Sequence, residues 1–462
     1  MEGRGSHNVE IVKRKHYHYT RSEEIMTHKI TRINQIAKER KKEVFTSIYH
    51  LINKELLKEC FDELDGNKAV GIDEITKLEY GKDLDKNLSN LENKLRNKSY
   101  KPSPSRRTYI PKANGKLRSL AIANFEDKIV QLALKKIIEA IFEPKFPNNM
   151  YGFRPNKSCH DALAQITCDL EEQYTNYIVE ADIKGYFDNI NHDKLMMCLR
   201  LHIKDPNILR LVEKFLKAGI LEKGKFYVGE YGTPQGSILS PVLANIYMYY
   251  VLIKWFDNTI KEKSNGFASI INYADDFICC FQYKDEAERF YKQQLPTRLK
   301  VAGLELAEEK TRIIYFGRCA MRNNKSNKPE TFDFLGITHY CSTSSKGKFR
   351  VKRKTSRKKF NKKLIEFDDW CRNNRTMPID ELMELVKRKL VGHYNYFGIT
   401  DNFHMIRKYY YRLLKILFKW LNRRSQRNSY TAEEFKQLLI KYNIPKPHIV
   451  VNIYDKTKQN DE

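Results

Sequence analysis

The chain has 462 residues, 41% of them apolar, with 84 Lys and Arg against 57 Asp and Glu and a formal net charge of +27. That apolar content excludes a disordered chain and allows two to three domains, while the cation excess calls for a polyanionic partner. No run approaches the ~18 apolar residues of a membrane span, Met1 to Lys15 lacks a signal-peptide core, and nine scattered cysteines without a C-x-x-C pair exclude a disulfide framework or zinc site.

In chain order, residues 1–40 are polar and basic, and the first fifteen or so are expected to be mobile. Between Phe45 and Leu64, Ile48, Leu51, Ile52, Leu56, Leu57, Cys60, Phe61 and Leu64 recur at helical spacing, and Gly66 to Asp73 breaks that helix. Tyr109-Ile110-Pro111 and Leu117-Arg118 flank Asn114-Gly115, a strong hairpin signal. Its tip and flanks carry Lys112, Lys116 and Arg118. Asn124 reads as an Asx cap on a helix that stops before Pro144. Tyr151-Gly152-Phe153-Arg154-Pro155 follows.

Tyr177 to Ile183 alternates as a strand and brings Asp182 near its end, before Lys184-Gly185-Tyr186-Phe187. Gly232-Thr233-Pro234-Gln235-Gly236-Ser237 is a loop, and Ser240-Pro241 reads as an N-cap with proline at N1. Two β-prone runs, Ala268 to Asn272 and Phe277 to Phe281, then enclose Tyr273-Ala274-Asp275-Asp276. A two-residue hairpin turn prefers Gly or Asn, so Ala274-Asp275 is a poor fit and Asp276 adds like charge. A cation would relieve that conflict, and functional sites are where such conflicts are found. If the Asp182 strand pairs beside the hairpin, Asp182, Asp275 and Asp276 meet in one pocket suited to Mg²⁺, a hard ion bound through carboxylates and substrate phosphates. Two such ions serve an in-line phosphoryl displacement.

Those segments resemble the palm of a reverse transcriptase, and the Tyr-Ala-Asp-Asp form is similar to the group II intron branch of that family. Leu304 to Thr311 and Phe332 to Gly336 match the family's last two palm motifs, so matched motifs run in order from about residue 45 to 340. The resemblance implies a metal site of Asp182, Asp275, Asp276 and the Ile183 backbone carbonyl, holding two Mg²⁺ with Mn²⁺ as a substitute. It implies that Lys112, Arg118, Gln235 and Lys310 lie at the incoming nucleotide, with Phe187 under its sugar excluding a 2′-hydroxyl. Arg154, Tyr273 and Gly336 are expected at template or primer. Ser237 stands where the family usually has a second glycine.

From Lys346 to Lys363 there are eleven basic residues and no acidic one, Lys352 and Arg353 among them. Between Lys408 and Arg423 one helical face carries Tyr410, Leu413, Leu414, Leu417 and Leu421, and the other Lys408, Arg412, Lys415, Lys419 and Arg423. Such a helix suits a phosphate backbone. Gly392 to Gly398 and Trp420 to Ser425, which includes Arg424, resemble the thumb or maturase region of bacterial group II intron proteins. The H-N-H nuclease segment of many such proteins finds no counterpart in this sequence.

The expected fold is α/β: a right hand with mixed fingers, an antiparallel-sheet palm and a helical thumb. The boundaries are a basic extension at 1–40, fingers and palm at 41–340, the thumb or maturase region at 341–455 and a tail at 456–462. The expected function is RNA-templated DNA synthesis from deoxynucleoside triphosphates on a DNA primer, together with binding of a cognate intron RNA and DNA target. A cytoplasmic, nucleoid-associated place and homodimer formation fit the same reading. Two alternatives stay open: a polymerase of this lineage turned to defence or repair, and a noncatalytic RNA-binding maturase.

Overall fold

A computed structural model describes residues 21–111, 117–227, 229, 231–323, 329–424 and 429–459, with the backbone alone at 21–28, 111 and 458–459. The mobility expected of the first fifteen residues falls outside this set, as do Lys112 and Lys116. A helix, Arg21–Glu39, precedes them and buries Ile33 and Ala37.

The strands are β1 (Ser105–Pro111), β2 (Leu117–Ile122), β3 (Tyr177–Asp182), β4 (Ile220–Glu222), β5 (Lys225–Tyr227), β6 (Ala268–Tyr273), β7 (Asp276–Phe281), β8 (Arg312–Tyr315), β9 (Phe332–Phe334), β10 (Ile337–Thr343) and β11 (Phe349–Thr355). They form three sheets, in the orders β2-β1-β4-β5, β6-β7-β3-β8 and β11-β10-β9. The second is fully antiparallel and is the palm.

Period-two geometry divides the palm sheet between two cores. Val179, Ala181, Ile270, Phe277, Cys279 and Phe281 face one core, shared with the helix Phe125–Phe142. Ile178, Ile271, Ile278, Cys280 and Ile314 face the other, shared with the helices Arg357–Asn374, Ile379–Phe397 and Phe403–Leu421. Burial on both faces is why β7 runs Phe-Ile-Cys-Cys-Phe without polar alternation. None of the nine cysteines, all among the described residues, forms a disulfide. No helix of the described residues is long and apolar enough to cross a membrane.

Three local expectations change. The helix predicted from Phe45 begins only at Lys54, capped by Asn53, whose side chain accepts from Leu56 N. Ile48, Leu51 and Ile52 are buried nonetheless, because Asp205 accepts from the backbone of Ile48 and Tyr49 and holds this stretch in a tighter turn. Asn124 does not cap its helix; its Oδ1 accepts from Ile72 N, 2.9 Å away. Ser240 is already helical, and its hydroxyl donates to Pro234 O rather than capping.

The chain returns to the palm at its end. Val451 bridges Ile399, the helix Ile453–Gln459 packs on Cys159–Glu171, and Lys456 Nζ donates to the Asp161 carboxylate.

Candidate active site

The β3–β7 register places Asp182 directly opposite Asp276. Tyr273 pairs with Asp276 across β6–β7, which leaves Ala274-Asp275 as the two-residue turn. Ala274 has φ +61°, a left-handed conformation that costs a Cβ-bearing residue of order 1 kcal/mol. Two neighbours hold it there. Asn272, 1% exposed, donates from Nδ2 to Ala274 O at 2.8 Å and Asp276 O at 3.4 Å. Gly152 lies so close beneath that a Cβ would stand 2.9 Å from Ala274 Cα. Neither residue was singled out in the sequence for this role. The available signal was a lone amide, Asn272, closing an apolar strand.

Ile183 continues β3 beyond the hairpin. Lys184 N donates to Glu305 O and Ala307 N to Asp182 O, flanking the Ile183–Leu306 bridge. In that pattern the N–H and C=O of Ile183 point away from residue 306, toward the side of the carboxylate hairpin.

The electrostatics are those of crowded anions. Asp276 is open to solvent on one side and ringed by protein elsewhere; burial first, then Asp275 and Asp182, push its carboxyl up to about 6. Asp275 is raised by burial and by Asp182, opposed by its own backbone N–H, Arg118 and Lys310. Lys310 donates its ammonium to the Asp182 carboxylate, which lifts the lysine above its usual range. Among the described residues no trio of His, Cys, Asp or Glu is drawn into a closed ligand cage.

Phe187 and Gln235, two of the residues expected at the nucleotide, lie on the turn after β3 and the loop beside it. Phe187, half-buried in the turn Tyr186–Asp188, stands edge-on to Phe153 with centroids 6.2 Å apart. Gln235 Nε2 donates to the Asp188 carboxylate at 3.2 Å, and both line a cleft of about 370 Å³ with Arg107, Ser119 and Thr233. Ser237 needs no left-handed backbone here; its hydroxyl donates to Gln131 Oε1. A second cleft, of about 540 Å³, is lined by Lys310, Gly336, Lys358, Lys359 and Lys362. Leu335 and Gly336 form its turn, with φ of +52° and +75°. Tyr273 shares the sheet face of Asp182 and Asp276.

Arg154 does not reach this space. Its guanidinium donates to both Glu143 oxygens and to the carbonyls of Pro147 and Met150, and the residue is 9% exposed. It clamps a loop and offers nothing to a template. Arg353 is corrected in the same way. It is fully buried, donating to Thr167 Oγ1 at 2.5 Å and Asp401 at 3.0 Å, so it is no RNA contact. The reason is alternation: Val351, Arg353 and Thr355 share the inward face of β11, leaving Lys352 and Lys354 outside.

On Phe403–Leu421 the predicted faces separate. Leu413, Leu417 and Leu421 are buried, whereas Lys408, Arg412, Lys415 and Lys419 are exposed. Lys419 is paired with Asp368 at 2.9 Å. Arg423 is exposed just past the helix end, and Arg424 donates to Met377 O at 2.6 Å.

Comparison with known proteins agrees with this geometry. Residues 110–339 match the family model described as reverse transcriptase (RNA-dependent DNA polymerase), and residues 357–439 the group II intron, maturase-specific domain. The chain is 30% identical over 465 aligned residues to the group II intron-encoded protein LtrA of Lactococcus lactis subsp. cremoris, covering 83% of this chain and 75% of that protein. It is 36% identical over 201 residues to protein YkfC of Escherichia coli (43% and 51% covered). An uncharacterized 91 kDa protein in the cob intron of Schizosaccharomyces pombe is 42% identical over 168 residues (36% and 20%). Reverse transcriptases use divalent metal ions, and the two matched domains imply an RNA template, a primer and intron RNA as partners. The chain therefore belongs to the group II intron-encoded reverse transcriptase/maturase family and is an RNA-directed DNA polymerase of right-hand fold.

Proposed function

We propose that this polymerase extends a DNA primer with deoxynucleotides at a site of two Mg²⁺, and that its thumb binds a cognate intron RNA to assist splicing and a DNA target during mobility. The observation that carries the catalytic part is the opposition of Asp182 and Asp276 with Asp275 at the adjoining tip. The donor set fits Mg²⁺: hard carboxylate oxygens, one backbone carbonyl, and carboxyls of Asp275 and Asp276 raised by burial and then by neighbouring negative charge. Asp182, Asp275, Asp276 and the Ile183 carbonyl would hold the ions. When bound, such ions activate the attacking hydroxyl and offset charge on the leaving pyrophosphate.

The chain's own groups do the rest. Lys310 and Arg118 act electrostatically on the carboxylates and supply cations where triphosphate charge must be offset, since positioning and electrostatics dominate phosphoryl transfer. Phe187, braced by Phe153 and Tyr186, presents a ring where a ribose 2′-hydroxyl would need space. Asp188 fixes the Gln235 amide, which orients it toward the nascent pair. The Leu335-Gly336 turn and Lys358, Lys359 and Lys362 supply a track for the primer. The exposed cations of Phe403–Leu421 supply the RNA surface.

A paired assay tests both parts. Asp275→Ala should abolish primer extension on an RNA template yet leave assisted splicing of the flanking intron largely intact, because stabilising one RNA conformer needs differential affinity and no chemistry. Near-normal extension by the folded variant overturns the metal site. A wild-type protein that polymerises but accelerates no splicing of the flanking RNA removes the maturase part.

A further inference from the structure

The loop from Gly232 to Gln235 lines the cleft of about 370 Å³ together with Asp188, on the turn Tyr186–Asp188 that carries Phe187. The spacing between Phe187 and Gln235 therefore depends on how that loop is fastened to that turn.

Backbone bonds make the first connection. Thr233 N donates to Phe187 O at 2.7 Å, and Gly232 N donates to Ile190 O at 2.8 Å. Gly232 has φ +86°, and a Cβ there would stand 2.7 Å from Asp188 O, so loop and turn meet backbone to backbone. The far end of the loop is held from elsewhere. Ala121 N, on β2, donates to Gln235 O at 2.6 Å, and Ile238 N donates to Gln131 Oε1 at 3.0 Å.

One side chain completes the attachment at the Phe187 end. His192 opens the helix His192–Arg200, whose N-cap Asn191 accepts from Lys194 N at 2.9 Å. The residue is 8% exposed, and its Nε2 lies 2.6 Å from the O of Gly232, 40 residues along the chain. A carbonyl can only accept, so Nε2 carries the proton and donates it. Gly232 is itself buried. An apolar side chain in place of His192 would fill the space but leave that carbonyl without a donor, which is costly.

We propose that His192 is a positioning residue for the incoming nucleotide. By tying Gly232 O to the start of its helix it fixes the loop against the turn, and so sets the spacing between the Phe187 ring and the Gln235 amide. The imidazole touches no substrate and acts through Gly232. With the bond lost, the loop keeps its attachment to β2 but is free to shift at the Phe187 end. The fit to a deoxyribose and a nascent pair then loosens, while the carboxylates, on a separate hairpin, stay where they are. This rests on the nucleotide roles proposed above for Phe187 and Gln235.

Two substitutions test it in the full-length protein. His192→Leu removes the donor, whereas His192→Gln places an amide N–H as far from Cβ along the side chain as the imidazole Nε2. Amide exchange followed by mass spectrometry reads the peptides spanning residues 231–236, and primer extension on an RNA template reads kcat and KM for deoxy- and ribonucleotides. His192→Leu should speed exchange in those peptides and raise KM for the deoxynucleotide roughly three- to tenfold, the range of one net hydrogen bond, while kcat moves less. It should also shift the kcat/KM ratio toward the ribonucleotide. His192→Gln should return exchange, KM and ratio toward wild type. Wild-type exchange in His192→Leu, faster exchange with unchanged KM, or a glutamine variant no better than the leucine one would each overturn the proposal. Should His192→Leu fail to fold, His192→Asn, whose amide stops short of Gly232 O, takes its place. An unchanged sugar ratio in Phe187→Val defeats the Phe187 assignment instead, and leaves the His192 clamp to be judged by exchange and KM.

Discussion

Asp182 and Asp276 face each other as a cross-strand pair between β3 and β7, two carboxylates on one face of a sheet buried on both sides. Like charges directly opposed destabilise an antiparallel pair. Lys310 answers Asp182, while among the described residues Asp276 forms no ion pair, and burial, then Asp275 and Asp182, raise its carboxyl. The site is thus built with a charge deficit that a divalent cation would fill.

That deficit has a pH dependence with a definite sign. The folded Asp276 carboxyl lies at about 6 against an ordinary 3.8, so it holds a proton below about 6 and is charged above it. In the metal-free protein, stability from this group is lost as pH rises from 3.8 through 6. A cation reverses the effect. Mg²⁺ should therefore raise the melting temperature more at pH 8 than at pH 5, and the apparent Mg²⁺ requirement of extension should climb as pH falls through 6. A Mg²⁺-dependent melting shift that is equal at both pH values would refute this account.

The sugar-discriminating role proposed for Phe187 rests on the volume of its ring. Phe187→Val should increase ribonucleotide use relative to deoxynucleotide, read as the ratio of kcat/KM values for the two. Since Phe153 contacts the same ring, Phe153→Ala should move the ratio in the same direction by a smaller amount. An unchanged ratio in Phe187→Val returns the ring to the core.

Buried and exposed arginines and lysines should separate cleanly by assay. Arg353→Ala leaves Asp401 and Thr167 without their partner and should lower unfolding free energy by about 3–5 kcal/mol in urea titration. Arg154→Ala, which strands Glu143, should also destabilise the fold. Neither should change the salt slope of RNA binding measured on the folded fraction.

Exposed Lys415 is the converse case. Lys415→Gln should leave stability alone and flatten log K against log salt by roughly 0.7–0.9. Lys419→Gln should give a smaller change, because Asp368 already offsets that charge and is released with it. Equal slopes in wild type and Lys415→Gln, with reduced affinity, would show that packing and not phosphate contact was lost.

Asn272 carries a prediction of its own. Asn272→Leu removes the amide that spans the turn and should reduce extension while leaving duplex affinity unchanged. Ala274→Gly, free to adopt positive φ, should restore part of the loss in the double variant. A double variant no better than Asn272→Leu alone would mean that the amide does more than hold Ala274.

The sequence by itself determined the parts whose physics is local. Alternation marked β3, two β-prone apolar runs marked β6 and β7, Asn114-Gly115 pointed to the antiparallel pairing of β1 with β2, and the 3.6-residue repeat separated Leu413, Leu417 and Leu421 from Lys408, Arg412 and Lys415. The poor turn chemistry of Ala274-Asp275 pointed to function because such strain persists only where distant groups hold it. Those groups were illegible: Gly152 and Asn245, whose amide donates to Gly152 O, lie far from Ala274 along the chain. Tertiary structure alone decided which cations are buried. Arg353 stood in a run of eleven basic residues, and only the pairing of β11 with β10 and the arrival of Thr167 and Asp401 made an inward guanidinium stable. A side chain's charge is written in its own residue, but the partner that allows its burial comes from elsewhere in the chain, and strand register and helix packing bring the two together.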